Sequence, residues 1–248
     1  MREKLQSSAV LTSCFILGIG ALFIRYLIFP FVDLFCKENF SNKKSFILHY
    51  SWKLYVKILN VLNVVNVQSN DFEKLRNIKN SIIVSTHPTF IDVILLISII
   101  PYTTCFVAKK LAKNPFFKGM VKSLFIIQDD NTEVWVKNAE KYLNSGFNVL
   151  IFPMGKRHNK DEFPKIRRSS AYLSEQTGKN ISIIKITTDR DVFSHDVPIY
   201  KIGTKPARYK IEYLDEIDIE KWREKFPDPV DLRREITKYI TKSLYFIK

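Results

Sequence analysis

Hydrophobic and polar positions fall into three patterns along the chain, and each predicts a different kind of element. The first is a block with no charged residue from Leu5 to Ile24, mostly apolar from Ala9 onward, which resumes after Arg25 as YLIFPFV up to Asp33. A helix that spans a bilayer needs about 20 apolar residues, so the block sits at that margin. Burying Arg25 at mid-bilayer would cost about 3 kcal/mol, whereas at the end of the helix its guanidinium could snorkel to the interface. No small-residue cleavage site follows, as a secretory signal would require. The block reads as an uncleaved membrane anchor, with a buried core helix as the competing reading.

The second pattern, SFILHYSWKLYVKILNVLNVVN over 45–66, places His49, Lys53, Lys57, Asn60 and Asn63 at helical spacing along one side. Almost every other position is aliphatic or aromatic. A broad apolar face with a narrow polar stripe suits either a bilayer interface or burial in protein. Beside the first block it reads as the second arm of a membrane-associated helical pair, and the two fill residues 1–68.

After residue 70 the period shortens. SIIVST (81–86), CFVAK (105–109), LFIIQ (124–128), NVLIFP (148–153), ISIIKIT (181–187) and KIEYL (210–214) read as strands. Between them, Asp130 and Glu133 resemble a capping box for a helix that stops at Gly146, and a helix over about 168–177 stops at Gly178. The strands are too apolar for a sheet wetted on one face. Alternation of strand and helix therefore predicts an α/β domain over 69–248, with a central, mostly parallel sheet flanked by helices. An amphipathic basic helix from Asp231 to Lys248 would pack on that domain.

Composition changes the picture in two respects. Thirty-nine Lys and Arg against 25 Asp and Glu leave a net charge of +14, which implies an anionic partner. A nucleic-acid binder fits the charge alone, but no recognition motif appears and the cations accompany a hydrophobic N-terminus. The three cysteines, Cys14, Cys36 and Cys105, lack paired spacing and imply a reducing compartment.

Of the four histidines, only His87 has a carboxylate five residues on, in HPTFID. A strand delivers it to the carboxyl edge of the sheet, where open α/β proteins place their sites, and Pro88 suits the first position of a helix. With His87 on the turn and Asp92 one turn inside the helix, the carboxylate could reach back to Nδ1 and leave Nε2 free as a general base. A helix-capping His with a first-turn Asp favoured by the dipole explains the same residues equally well. Downstream, NVLIFPMGKRHNK carries a strand into Pro153, and Gly155 then permits a tight turn that presents Lys156, Arg157 and Lys160. Such a turn could hold phosphate or be a solvated basic loop. No nucleophile elbow and no cluster with metal-ligand spacing is present.

Together these segments resemble the glycerolipid acyltransferases, which convert lysophosphatidic acid to phosphatidic acid. HPTFID is similar to their H-x4-D motif, FPMGKR to their FPEGTR, and KKLAKNPFFKG, from Lys109 to Gly119, to a segment lying between the two. The resemblance covers residues 45–215. It implies that His87 is the base and Asp92 its orienter, and that acyl transfer from acyl-CoA or acyl carrier protein is direct, with no cofactor or metal. It also implies that Gly155, Lys156, Arg157 and Lys110 bind the acceptor's phosphate. The membrane partner would be the inner, cytoplasmic membrane, with the body on the cytoplasmic face. The chain departs from the family pattern at Met154, where Glu is usual, at Lys156 for Thr, at Asp129 and Asp130 where a strand usually ends in Arg, at Ser169 for Gly and at Lys185 for Pro. These departures leave the His–Asp pair intact and alter the acceptor motifs. An unusual acceptor, such as an aryl polyene lipid, or a catalytically weakened lipid- or phosphate-binding member of the fold, are the alternatives.

Overall fold

The computed structural model describes residues 2–35, 40–113, 118–154, 166–190 and 205–246. Helix α1 (Arg2–Phe23) continues through a π-helical turn (Ile24–Ile28) into α2 (Phe29–Phe35). Arg25 therefore does not end the helix. The chain absorbs it in the wider π turn, with the guanidinium 4.7 Å from the centre of the Tyr26 ring. Val10–Val32 is long and apolar enough to cross a membrane.

Helix α3 (Phe40–Val61) ends at Asn63, whose positive φ of 58° is the left-handed conformation in which helices commonly stop. The polar stripe read from the sequence splits in the structure. Lys53, Lys57 and Asn60 are exposed, whereas His49 is buried and its Nδ1 lies 2.7 Å from the Ile97 carbonyl. It sits at the edge of the face formed by Leu48, Trp52, Tyr55 and Leu59, which is buried against the body.

The rest of the described chain runs β1 (Val65–Gln68), α4 (Phe72–Arg76), β2 (Ile82–Ser85), α5 (Asp92–Ile99), β3 (Thr103–Val107), α6 (Lys109–Lys113), α7 (Lys118–Leu124), β4 (Ile126–Ile127), α8 (Thr132–Asn144), β5 (Asn148–Ile151), α9 (Ser169–Thr177), β6 (Ile181–Thr188), β7 (Ala207–Ile217), α10 (Ile219–Lys225) and α11 (Pro229–Tyr245). The strands form one seven-stranded sheet in the order β1-β7-β6-β2-β5-β3-β4. β6, β2, β5, β3 and β4 run parallel; β7 is antiparallel to β6, and β1 is parallel to β7. The expected α/β fold with a mostly parallel sheet is thus observed. β1 precedes the boundary expected at residue 68, yet it pairs with β7 from Val65 onward.

Both faces of the sheet are covered. Along β2, Ile83 packs with α3 and α5, while Ile82 and Val84 pack with α8, α9 and α11. A strand enclosed on both faces reads as a continuous apolar run, which is why 81–86 is legible without alternation. Helix α8 is capped one residue later than expected: the Asn131 side chain accepts from the backbone N–H groups of Glu133 and Val134. Asp130 is turned outward and pairs with Lys109 at 2.8 Å. Helix α9 stops at Gly178, with φ of 64°, as expected. Pro88 is not the first residue of a helix. Residues 88–91 form a turn, and α5 opens at Asp92 itself.

Candidate active site

The parallel pairing of β2 with β5, in which Val84 lies opposite Ile151, brings two carboxyl ends of the sheet together. His87 leaves the first and Phe152 the second, and their rings stack with centroids 4.0 Å apart and planes 17° from parallel. The exit from β2 is pinned by Thr86, whose hydroxyl donates to the Ile186 carbonyl at 2.8 Å and accepts from the Ile186 N–H at 2.7 Å. Strand pairing with β6 is thereby extended one residue past the strand, to the residue before His87.

Asp92 reaches back across the 88–91 turn. Its Oδ2 lies 2.9 Å from His87 Nδ1 and accepts the Thr89 N–H at 2.7 Å, while its Oδ1 accepts the Thr89 hydroxyl at 2.5 Å. The Asp92 side chain is fully enclosed and that of His87 is 18% exposed. Burial pushes the Asp92 carboxyl above its ordinary range, and the bonds from His87 and Thr89 offset only part of that rise. A carboxylate accepts only, so it draws the proton of the neutral imidazole to Nδ1 and leaves Nε2 with a lone pair. The dyad geometry is the one needed for a general base. The reach depends on the turn, because a helix begun at Pro88 would carry Asp92 to a different face.

His87 lines an apolar cavity of about 780 Å³. Phe90, Val93 and Ile94 of the turn and α5, Cys105–Ala108 at the end of β3, and Val121 and Phe125 line its body side. The helical pair closes it with Ile16, Leu17, Gly20, Ala21 and Ile24 from α1 and the adjoining turn, and Trp52, Tyr55 and Ile58 from α3. Cys105 lies inside a strand and burial pushes its thiol up to about 12, so it is a protonated wall residue with no nucleophilic character.

A second cleft, of about 520 Å³, opens beyond the Phe106–Trp135 stack, whose ring centroids are 4.6 Å apart. Arg167, Arg168 and Arg233 line it with Gln128, Asp129, Thr132, Ser169 and Tyr172. Arg233 lies 5.3 Å over the Tyr172 ring and 3.9 Å from a Glu175 carboxylate oxygen. The Arg167 N–H donates to the Pro153 carbonyl at 2.9 Å, which ties this cleft to the end of the FP segment.

Of the residues expected at the site, His87 and Asp92 meet. Gly155, Lys156 and Arg157 lie outside the described residues. Lys110 is exposed on α6 and lines neither cavity. Met154 turns toward α11, where the Tyr245 hydroxyl donates to its sulfur at 2.9 Å. Sequence reasoning did not assign Thr89, Phe152 or Arg233. Thr89 was within reach, since a hydroxyl residue three positions before an Asp is a common local hydrogen-bonding arrangement. Arg233 and the cavity lining of α1 carry no local signal, because the fold alone brings them in.

The Acyltransferase family model matches residues 66–200, more than half the chain, and the chain belongs to that family. Among solved structures it is similar to the 1-acyl-sn-glycerophosphate (LPA) acyltransferase PlsC from Thermotoga maritima. The TM-score is 0.72 over 98% of this chain and 95% of that one, at 16% sequence identity, so the likeness is one of fold. No curated protein matches the sequence.

Proposed function

We propose that this acyltransferase works at a membrane surface, moving an acyl chain from acyl-CoA or acyl carrier protein to the hydroxyl of a lysophospholipid-like acceptor. The observation that carries the reading is a His–Asp dyad whose imidazole lines an apolar cavity large enough for a lipid chain. His87 Nε2 takes the proton of the acceptor hydroxyl as its oxygen attacks the thioester carbonyl carbon. The tetrahedral adduct collapses, the C–S bond breaks, and the imidazolium returns its proton to the departing thiolate. The products are an ester and a free thiol. Asp92 stabilises the imidazolium between the two transfers, and the face of Phe152 does so to a smaller degree. The solved neighbour's acceptor, 1-acyl-sn-glycerophosphate, supports this acceptor class.

The arginine cleft suits the acceptor's anionic group, with guanidinium forks as directional donors. Met154 is engaged by Tyr245 and supplies no carboxylate, which favours an acceptor with more negative charge than lysophosphatidic acid. The exposed apolar side chains of α1 and α3 would enter one leaflet, with the body on the cytoplasmic face. The basic residues that follow the apolar run, among them Lys37, Lys43 and Lys44, agree with that orientation.

The test is thiol release from acyl-CoA and acyl carrier protein over a panel of lysolipid acceptors, with mass spectrometry of the products. Acceptor-dependent thiol release with a matching ester product is expected. Acceptor binding with no release from either donor would point instead to a binding protein that retains the fold.

A further inference from the structure

The carboxylate that orients His87 is held by a chain of hydroxyl groups that runs along one face of the sheet to β7, two strands from β2. Asp92 is enclosed, and the titratable groups that bear on it are His87, which meets its carboxylate directly, and the Tyr209 hydroxyl. A carboxylate so placed stays ionised only when its lone pairs are filled by donors. Thr89 supplies two, its N–H to Oδ2 and its O–H to Oδ1. The second is conditional, because a threonine hydroxyl rotates and could donate elsewhere.

Tyr209 removes that freedom. It lies on β7, fully buried, and its hydroxyl donates to Thr89 Oγ1 at 3.3 Å. With that lone pair occupied, the Thr89 proton is left to Asp92 Oδ1. Burial pushes the Tyr209 hydroxyl upward, and the Asp92 and Asp189 carboxylates nearby act in the same direction, so it remains a donor at every working pH. The Thr188 hydroxyl also meets it. β7 runs antiparallel to β6, which carries Thr188 opposite Tyr209, so the anchor of the chain is part of the sheet and not of the loop that carries His87.

We propose that Thr89 and Tyr209 are positioning residues of the reaction: Tyr209 sets the Thr89 hydroxyl, Thr89 saturates Asp92, and Asp92 thereby holds the imidazole with Nε2 aimed into the cavity. The inference rests on the reading of His87 as the base. It differs from that reading in what it predicts for pH. When a donor is removed, the carboxylate attracts a proton more strongly, so the His87–Asp92 pair takes up its proton at higher pH. The acid limb of kcat/KM must move upward, which loss of packing alone does not cause.

The experiment compares Thr89→Val, Thr89→Ser and Tyr209→Phe with the wild type, using the full chain in detergent micelles. It measures kcat/KM against pH and follows the His87 imidazole by NMR titration without substrate. Thr89→Val should lose about 10- to 100-fold in kcat and raise the acid limb by about one pH unit. Thr89→Ser should restore both. Tyr209→Phe should move them the same way by less, and in the double variant Tyr209→Phe should add nothing to Thr89→Val, since it acts only through that hydroxyl. An unmoved limb in Thr89→Val, no rescue by serine, or multiplicative losses in the double variant would overturn the proposal. The NMR titration reads the dyad even if no thioester is turned over, so failure of the acyl-transfer reading is seen separately.

Discussion

Asp92 is where function and stability pull in opposite directions. Its carboxyl is raised in the folded state by burial, so the native protein holds that proton more tightly than the unfolded chain does. The sign follows: native stability is fullest below the ordinary carboxylate range and declines as pH rises through the folded value. Asp92→Asn should therefore melt at the same or a higher temperature than wild type at pH 7, and the difference should vanish below about pH 4. Its activity should fall by two or more orders of magnitude, because the tautomer is no longer enforced. Calorimetry across pH together with turnover checks both halves, and a lower melting temperature at pH 7 would contradict the burial argument. Arg168 sits in the second cleft with its guanidinium exposed. Arg168→Ala should raise the acceptor's KM about tenfold with little change in kcat, and initial-rate kinetics would read it. The His–Asp pair was legible because five residues span one turn. The donors to Asp92 were only partly so, since a hydroxyl's direction depends on Tyr209, 120 positions away.

At the scale of elements, helix ends separate what sequence could and could not tell. Gly146 and Gly178 stop their helices as read, because both adopt positive φ that side chains disfavour. The start of α5 was misplaced, since Pro88 fits a first helical turn but also fits the open turn that lets Asp92 face His87. Capping passed from Asp130 to Asn131 because two residue types with similar capping ability stand side by side, and Lys109 holds the aspartate outside. The part α1 plays in the cavity was invisible, since an apolar run shows no preference for lipid over a protein wall. Gly20 lines the cavity, and a Cβ there would meet no atom within 4 Å. Gly20→Phe should therefore fold normally and fill cavity space. Product analysis by mass spectrometry should show shorter acyl chains in preference to those the wild type uses. An unchanged chain distribution would mean that the acyl group does not occupy this end.

At the scale of the whole molecule, the fold class was readable because every central strand is enclosed and the elements alternate. The reversed strands β7 and β1 at one edge were not, as a strand's direction leaves no mark on its own residues. The helical pair and the body were read as separate units, yet Val10, Phe29 and Trp52 share one apolar cluster with α5 and the sheet. Removing the pair would bare that cluster, so membrane attachment is better tested on its outer face. Phe15 and Phe31 are 69% and 62% exposed, and transfer of each ring from water is worth about 2 kcal/mol. Phe15→Asp with Phe31→Asp should weaken binding to anionic vesicles by two orders of magnitude or more without lowering the melting temperature. Vesicle flotation measures it, and the net charge of +14 should make the binding that remains salt-sensitive. The central claim is that His87 is the base of a direct acyl transfer. Its closest test is single-turnover thiol release with His87→Ala beside the wild type, on the best acceptor found. The account predicts a loss of about 10²- to 10⁴-fold with the fold intact, whereas near-normal release in His87→Ala would contradict it.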